Sequence, residues 1–187
     1  MVQAPVQPLT LESFLALPQT KPASEYIDGT IVQKPMPKPK HSLLQAKLIM
    51  TINEVLNHQK MGFAFPELRC VFGDRAIVPD VSVLQWDRIP LDENGDISDE
   101  FESYPDWAIE IVSPQQAEGL IIDKILHALN HGTQMGWLIN PNHRTIVIFP
   151  AGKQPHLVKE ISDRLQPPDF AQSVNITRQD VFSWLKI

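Results

Sequence analysis

The sequence predicts an α/β or α+β fold, a central mixed β-sheet flanked by helices, and three observations carry that prediction. Two segments, about Ser42 to His58 and Glu118 to His131, repeat apolar residues at helical spacing. Between and after them stand short apolar runs bounded by Gly, Pro and Asp, the pattern of strands. The resulting order of helix, strands, helix, strands calls for a sheet covered by helices. At 187 residues the chain is expected to be one domain, 1–187, large enough for a sizeable core.

In chain order, residues 1–9 read as a loose N-terminal arm. Thr10 is the expected N-cap of a short helix, Leu11 to Leu17, that stops before Pro18. Asp28-Gly29, set between apolar residues of Glu25 to Val32, signals a hairpin. The basic, proline-punctuated stretch Lys34 to His41 then leads into the long helix, with Leu44, Leu48, Ile52, Val55 and Leu56 as its buried stripe. Phe63 to Phe72 and Ala76 to Leu84 read as two strands joined by a turn at Gly73-Asp74, and the acidic stretch 87–104 as a mobile surface loop. A strand around Glu110 ends at Ser113-Pro114. The second helix ends at Gly132, where a left-handed residue is usual. Gly136 to Pro141 and Arg144 to Phe149 form a hairpin pair, with an edge strand near His156 to Lys159. Thr177 and Asp180 stand at capping-box spacing before a closing helix that runs to Leu185. Trp86, Trp107, Trp137 and Trp184 are most simply core or core-edge aromatics.

Composition excludes several classes of function. Hydrophobic residues make up 43% and charged residues 20%, the balance of an ordinary globular protein. No run approaches the roughly 18 apolar residues that a membrane helix needs. No basic segment precedes an apolar one at the N-terminus, so the expected compartment is the cytoplasm, with no membrane partner. The single cysteine, Cys70, rules out an intrachain disulfide, argues against a thiolate zinc cluster and is expected to be inert. A net charge of −6 argues against tight nonspecific nucleic-acid binding, because phosphate contacts dominate such affinity. It leaves open metal chemistry through carboxylates.

Chemistry concentrates in two strand-like runs, Ile77 to Leu84 and Trp107 to Pro114, each with one carboxylate in its middle. An unpaired buried charge costs several kcal/mol or neutralises, so each acid needs a partner. Alternation puts Ile77, Pro79, Val81 and Val83 on one face, and Asp80 and Ser82 on the other. Likewise Trp107, Ile109 and Ile111 oppose Ala108, Glu110 and Val112. If the strands are neighbours, both acids emerge on one face of the sheet, an arrangement that suits Mg²⁺. On the following helix, Ile121, Ile122, Ile125, Ala128 and Leu129 form the buried side, while Lys124, His127 and His131 share a stripe. Lys124 beside two metal-bound acids would position water or offset negative charge. A structural alternative stands beside this: Asp80 accepting hydrogen bonds from a loop, and Glu110 paired with Lys124. His127 and His131 read as a solvated helix face. Lys34, Lys38, Lys40 and Lys47 would contact phosphates, or else form a solvated basic surface.

The residues also carry a resemblance. Glu25-Tyr26-Ile27-Asp28-Gly29, His41 opening the long helix, Val78-Pro79-Asp80-Val81-Ser82 and Glu110-Ile111-Val112-Ser113-Pro114 come in that order. Lys124 follows ten residues after Pro114, and then Gly136-Trp137-Leu138-Ile139-Asn140-Pro141. Together they resemble the restriction endonuclease-like family of the PD-(D/E)XK nuclease superfamily, over nearly the whole chain. The resemblance implies a restriction endonuclease-like core, with Asp80 and Glu110 matching the metal-binding acids. It implies the backbone carbonyl of Ile111 as a further metal ligand. The superfamily lysine, whose usual place is Val112 here, is matched by Lys124 on the next helix. Glu25 and His41 match the family pattern as accessory positions. The chain departs from that pattern at Ala128, where the family commonly has tyrosine, and at Met135-Gly136, where it has Glu-Tyr.

The reading that follows is a DNA endonuclease dependent on Mg²⁺, or Mn²⁺, with Asp80, Glu110 and Lys124 catalytic and Lys38, Lys40 and Lys47 contacting DNA. A homodimer is expected. Two other readings remain open: a degenerate nuclease fold serving as a binding or structural module, and a hydrolase of small phosphoesters.

Overall fold

A computed structural model describes residues 9–114 and 116–186, so most of the expected N-terminal arm lies outside the described residues. Helix α1 (Leu11–Leu15) is capped by Thr10, whose side chain accepts a hydrogen bond from the Ser13 N–H, and it ends earlier than Leu17. Strands β1 (Ser24–Ile27) and β2 (Thr30–Gln33) form the hairpin that Asp28-Gly29 predicts. Both turn residues have positive φ, 49° and 79°, which a tight two-residue turn between twisted strands requires. Helix α2 (Pro39–Gln59) begins three residues before the expected Ser42. Proline suits the first helical position, because its fixed φ is helical and the N–H there has no partner to lose.

The two expected long strands are each broken in two. Phe63 to Phe72 divides into β3 (Gly62–Pro66) and β4 (Cys70–Phe72); Ala76 to Leu84 divides into β5 (Arg75–Ile77) and β6 (Val81–Gln85). Pro79 has no N–H to give a ladder, so the chain bends at Val78-Pro79-Asp80 and passes from one sheet to another. Asp80 therefore stands at a corner rather than in mid-strand. One sheet has the order β2-β1-β5-β4 and is antiparallel throughout.

The larger sheet adds β7 (Trp107–Ile111), β8 (Met135–Asn140), β9 (Thr145–Pro150) and β10 (His156–Leu157), in the order β10-β9-β8-β7-β6-β3. Only β7 and β8 run parallel, which makes the sheet mixed; α3 (Glu118–Asn130) supplies the crossover that a parallel pair needs. One face packs Val81, Val83, Trp107, Ile109 and Ile111 against Leu44, Leu48, Ile52 and Leu56 of α2. The opposite face packs Leu138 and Phe149 against Ile121 and Ile125 of α3. Gly136 permits that approach, since a Cβ there would lie 2.4 Å from Ile125 Cγ2. Trp107 and Trp137 are core residues in edge contact at 4.5 Å, whereas Trp86 lies at the surface in a short 3-10 helix. The 87–104 stretch buries Phe101 and pairs Leu91 with Ile97. Helix α4 (Arg178–Ser183) starts at the capping box of Thr177 and Asp180. Among the described residues no helix is long and apolar enough to cross a membrane.

Candidate functional site

The register of β6 on β7 pairs Val81 with Ile109, and one further step brings Asp80 opposite Glu110. Because Val81 and Ile109 point into the α2 side of the core, alternation turns both acids toward α3. Both acidic residues are only 2% exposed. Such burial demands compensation, and the structure provides it residue by residue.

Asp80 is held by three donors. Its Oδ2 accepts from the Ile111 N–H at 2.7 Å and faces His41 Nε2 at 3.0 Å, while Oδ1 accepts from Lys34 Nζ at 2.6 Å. Lys34 Nζ also donates to the Val78 carbonyl at 2.7 Å. Burial alone would raise the Asp80 carboxyl, but the Lys34 ammonium and the His41 contact outweigh it and hold the group well below the usual carboxylate range. The backbone at the corner is fixed as well, since Gln45 of α2 donates to the Asp80 carbonyl at 2.8 Å.

Glu110 pairs with Lys124, Nζ to Oε1, at 2.9 Å. Lys124 also donates to both oxygens of Glu25, at 3.0 and 3.2 Å, and Glu25 Oε1 accepts from the Val78 N–H at 2.8 Å. Burial pushes the Glu110 carboxyl up to about 7; Lys124 opposes the rise and the nearby Asp80 charge adds to it. Burial would lower the Lys124 ammonium, yet Glu110 and Glu25 raise it above its ordinary value, so it stays protonated. The acid–lysine ion pair weighed from sequence is therefore present, in the same cluster that brings Asp80 and Glu110 together.

The accessory positions are in contact with the cluster: Glu25 grips Lys124, and His41 reaches Asp80 from the first turn of α2. Ile111 contributes its N–H to Asp80. Lys34 corrects the sequence reading, which grouped it with a surface or phosphate-contacting basic run; it is buried and ion-paired. Its phase with Val32 along β2 was the available signal, because alternation turns both to one side of the hairpin. Lys38, Lys40 and Lys47 are exposed. Lys38 and Lys40 line a cavity of about 350 Å³ with His41 at the start of α2, and Lys47 stands further along the helix, outside it. His127 is half-buried and stacks on Phe72 at 5.0 Å, away from the acids, instead of belonging to a solvated face. Cys70 is buried, and burial pushes its thiol up to about 12, so little reactive thiolate forms.

Sequence reasoning missed Arg75. Its guanidinium grips both Asp28 oxygens, at 3.0 and 2.9 Å, and Asp123 at 2.6 Å. It thereby ties the β1–β2 hairpin to α3, the two elements that carry Glu25 and Lys124. Beside this clamp opens a cleft of about 690 Å³, with Glu25, Lys34 and Lys124 among its polar lining and Ile27, Val32 and Leu120 among its apolar lining.

The two buried carboxylates, facing each other where β6 meets β7, are oxygen donors of the kind a hard divalent cation takes. Among the described residues no three His, Cys, Asp or Glu side chains converge as a metal cage. Backbone carbonyl and water would complete the shell, which is how Mg²⁺ is commonly held.

Comparison with known proteins identifies the family and the fold. The family described as "Uma2: Putative restriction endonuclease" matches residues 11–179. A solved structure described as "a putative nuclease belonging to DUF820 from Anabaena variabilis" is similar at 48% identity, with 95% of this chain and 99% of that one covered and a TM-score of 0.93. No curated protein matches the chain.

Proposed function

The chain belongs to the Uma2 family, and from that premise we propose that it is a metal-dependent DNA endonuclease that hydrolyses phosphodiester bonds. The observation that carries the reading is Asp80 opposite Glu110 on paired strands, buried and backed by a lysine. Asp80, Glu110 and the Ile111 carbonyl would hold Mg²⁺, with Mn²⁺ as the alternative. When bound, such an ion lowers the pKa of water and polarises a phosphoryl oxygen.

The chain's own groups divide the remaining work. Glu110 and Glu25 favour the protonated form of Lys124, and as an ammonium it offsets the negative charge that grows on phosphate during attack. Glu25 holds that ammonium in place through two oxygens. His41 and the Ile111 N–H fix one oxygen of Asp80, orienting the carboxylate. The first turn of α2 has free N–H groups and no side-chain cap, so with Lys38 and Lys40 it favours a backbone phosphate there. Lys47 extends the same basic side along the helix. With an overall charge of −6, DNA contact depends on a local basic patch such as this one.

Calorimetric titration with Mg²⁺ and Mn²⁺ of wild type and Asp80→Asn, followed by plasmid cleavage with the same pair, tests the reading. Metal uptake and metal-dependent nicking in wild type, both abolished in the variant, are the expected result. A second reading, a degenerate nuclease fold acting as a binding module, is favoured by one observation: each acid of the cluster already has a lysine partner. Wild type that takes up no metal and cuts nothing would establish it in place of the first.

A further inference from the structure

We infer that Lys34 is a positioning residue that fills the cation position on Asp80 until a divalent ion displaces it, and that its ammonium then turns to the substrate cleft. The inference rests on the metal reading of the site. The two Asp80 oxygens are shared unequally. Oδ2 has two partners fixed by the fold, a strand N–H and a helix histidine. The Oδ1 partner is Lys34, at the end of a flexible four-carbon stem. A metal ion that takes Asp80 without dismantling the strand or the helix comes to Oδ1, where it competes with the Lys34 ammonium.

Charge counting points the same way, since only the metal-bound state without Lys34 is balanced. With its acids ionised, the cluster holds three negative charges, Glu25, Asp80 and Glu110, against two ammonium groups, Lys34 and Lys124. A divalent ion added with both lysines in place would leave one excess positive charge in a buried site, a costly state. Removing Lys34 leaves three charges of each sign. Lys124 cannot be the one to leave, because it bonds two acids from the buried side of α3.

Lys34 also has a way out. Its backbone is anchored by N–H donation to the Ala23 carbonyl at 2.9 Å, so only the side chain has to move. It lines the cleft of about 690 Å³ beside the acids, where a substrate phosphate would lie. The lysine that neutralises Asp80 without metal would thus face the phosphate with it.

The test is titration of Mn²⁺ alone into the full chain of wild type, Lys34→Met and Lys34→Gln, with thermal melts in the presence and absence of Mn²⁺. Both variants are expected to bind Mn²⁺ roughly tenfold tighter than wild type, the gain from removing a competing charge at close range. They should melt lower without metal and gain more in Tm at saturation. Lys34→Gln keeps a hydrogen-bond donor near Asp80 and gives the same readout if Lys34→Met does not fold. Wild-type binding with no tighter binding in the variants would overturn the role of Lys34 alone. Absence of binding in all three would overturn the metal reading, and this inference with it.

Discussion

Lys124 and Glu110 form a buried ion pair that joins α3 to β7, with Nζ 2.9 Å from Oε1 and each side chain 3% exposed. The same ammonium is the charged partner of Glu25. One lysine is therefore shared by two acids from two different sheets, and its loss would leave both without an ion-pair partner. Lys124→Met should cost about 3–5 kcal/mol in urea unfolding, the range for breaking a buried pair from one side. Adding Glu110→Gln should recover part of that loss. Equal stability of Lys124→Met and wild type would show that the pair contributes little.

Glu110 gives the stability a pH dependence. Its carboxyl lies at about 7 in the folded chain, against 4.5 for the free group. A raised pKa means the folded state binds the extra proton, so this stabilisation is complete below pH 4.5 and is lost as pH rises through 7. Asp80 has the opposite sign: its depressed carboxyl adds stability above the ordinary carboxylate range, and that stability is lost in strong acid. Glu110→Gln should remove the first effect, gaining on the order of 3 kcal/mol relative to wild type between pH 5 and pH 8. Denaturant midpoints at those two pH values measure it, and parallel pH profiles for the two proteins would count against the assignment.

Lys38 and Lys40 are predicted to act on DNA through charge alone. The double variant Lys38→Gln/Lys40→Gln should weaken binding across unrelated sequences. Its plot of log affinity against log salt should be shallower by about 1 for each phosphate that is no longer neutralised. Fluorescence anisotropy at several salt concentrations reads this directly; an unchanged slope would make both lysines solvated surface.

Gly136 controls the seating of α3. Gly136→Ala places a Cβ against Ile125 Cγ2 and has to push the helix, with Lys124, away from the sheet. Overpacking of this kind costs about 1–3 kcal/mol. In an Ile125→Ala background the same change should cost far less, so a double-mutant cycle should show strong coupling. Additive effects would mean that the helix is not displaced.

Local pattern carried a good deal of this protein. The Asp28-Gly29 hairpin, the α2 stripe of Leu44, Leu48, Ile52 and Leu56, and the Thr177–Asp180 capping box depend on residues close in sequence, where periodicity and turn chemistry act directly. Alternation also put Asp80 and Glu110 on matching faces before their strands were known to pair, and the family resemblance singled out the positions that the fold brings together.

The tertiary structure alone decided how the charges are matched. Whether Lys34 meets water or Asp80 depends on a residue far along the chain, and so does the clamp of Arg75 on Asp28 and Asp123. Splitting of the expected strands has the same origin: each apolar run suits a strand, but only the presence of two sheets makes Pro79 and Asp80 a corner. Periodicity reports which side of an element is buried. Which opposite charge meets a residue there is set by how the elements pack, because an ion pair depends on distance in space and not on separation in sequence.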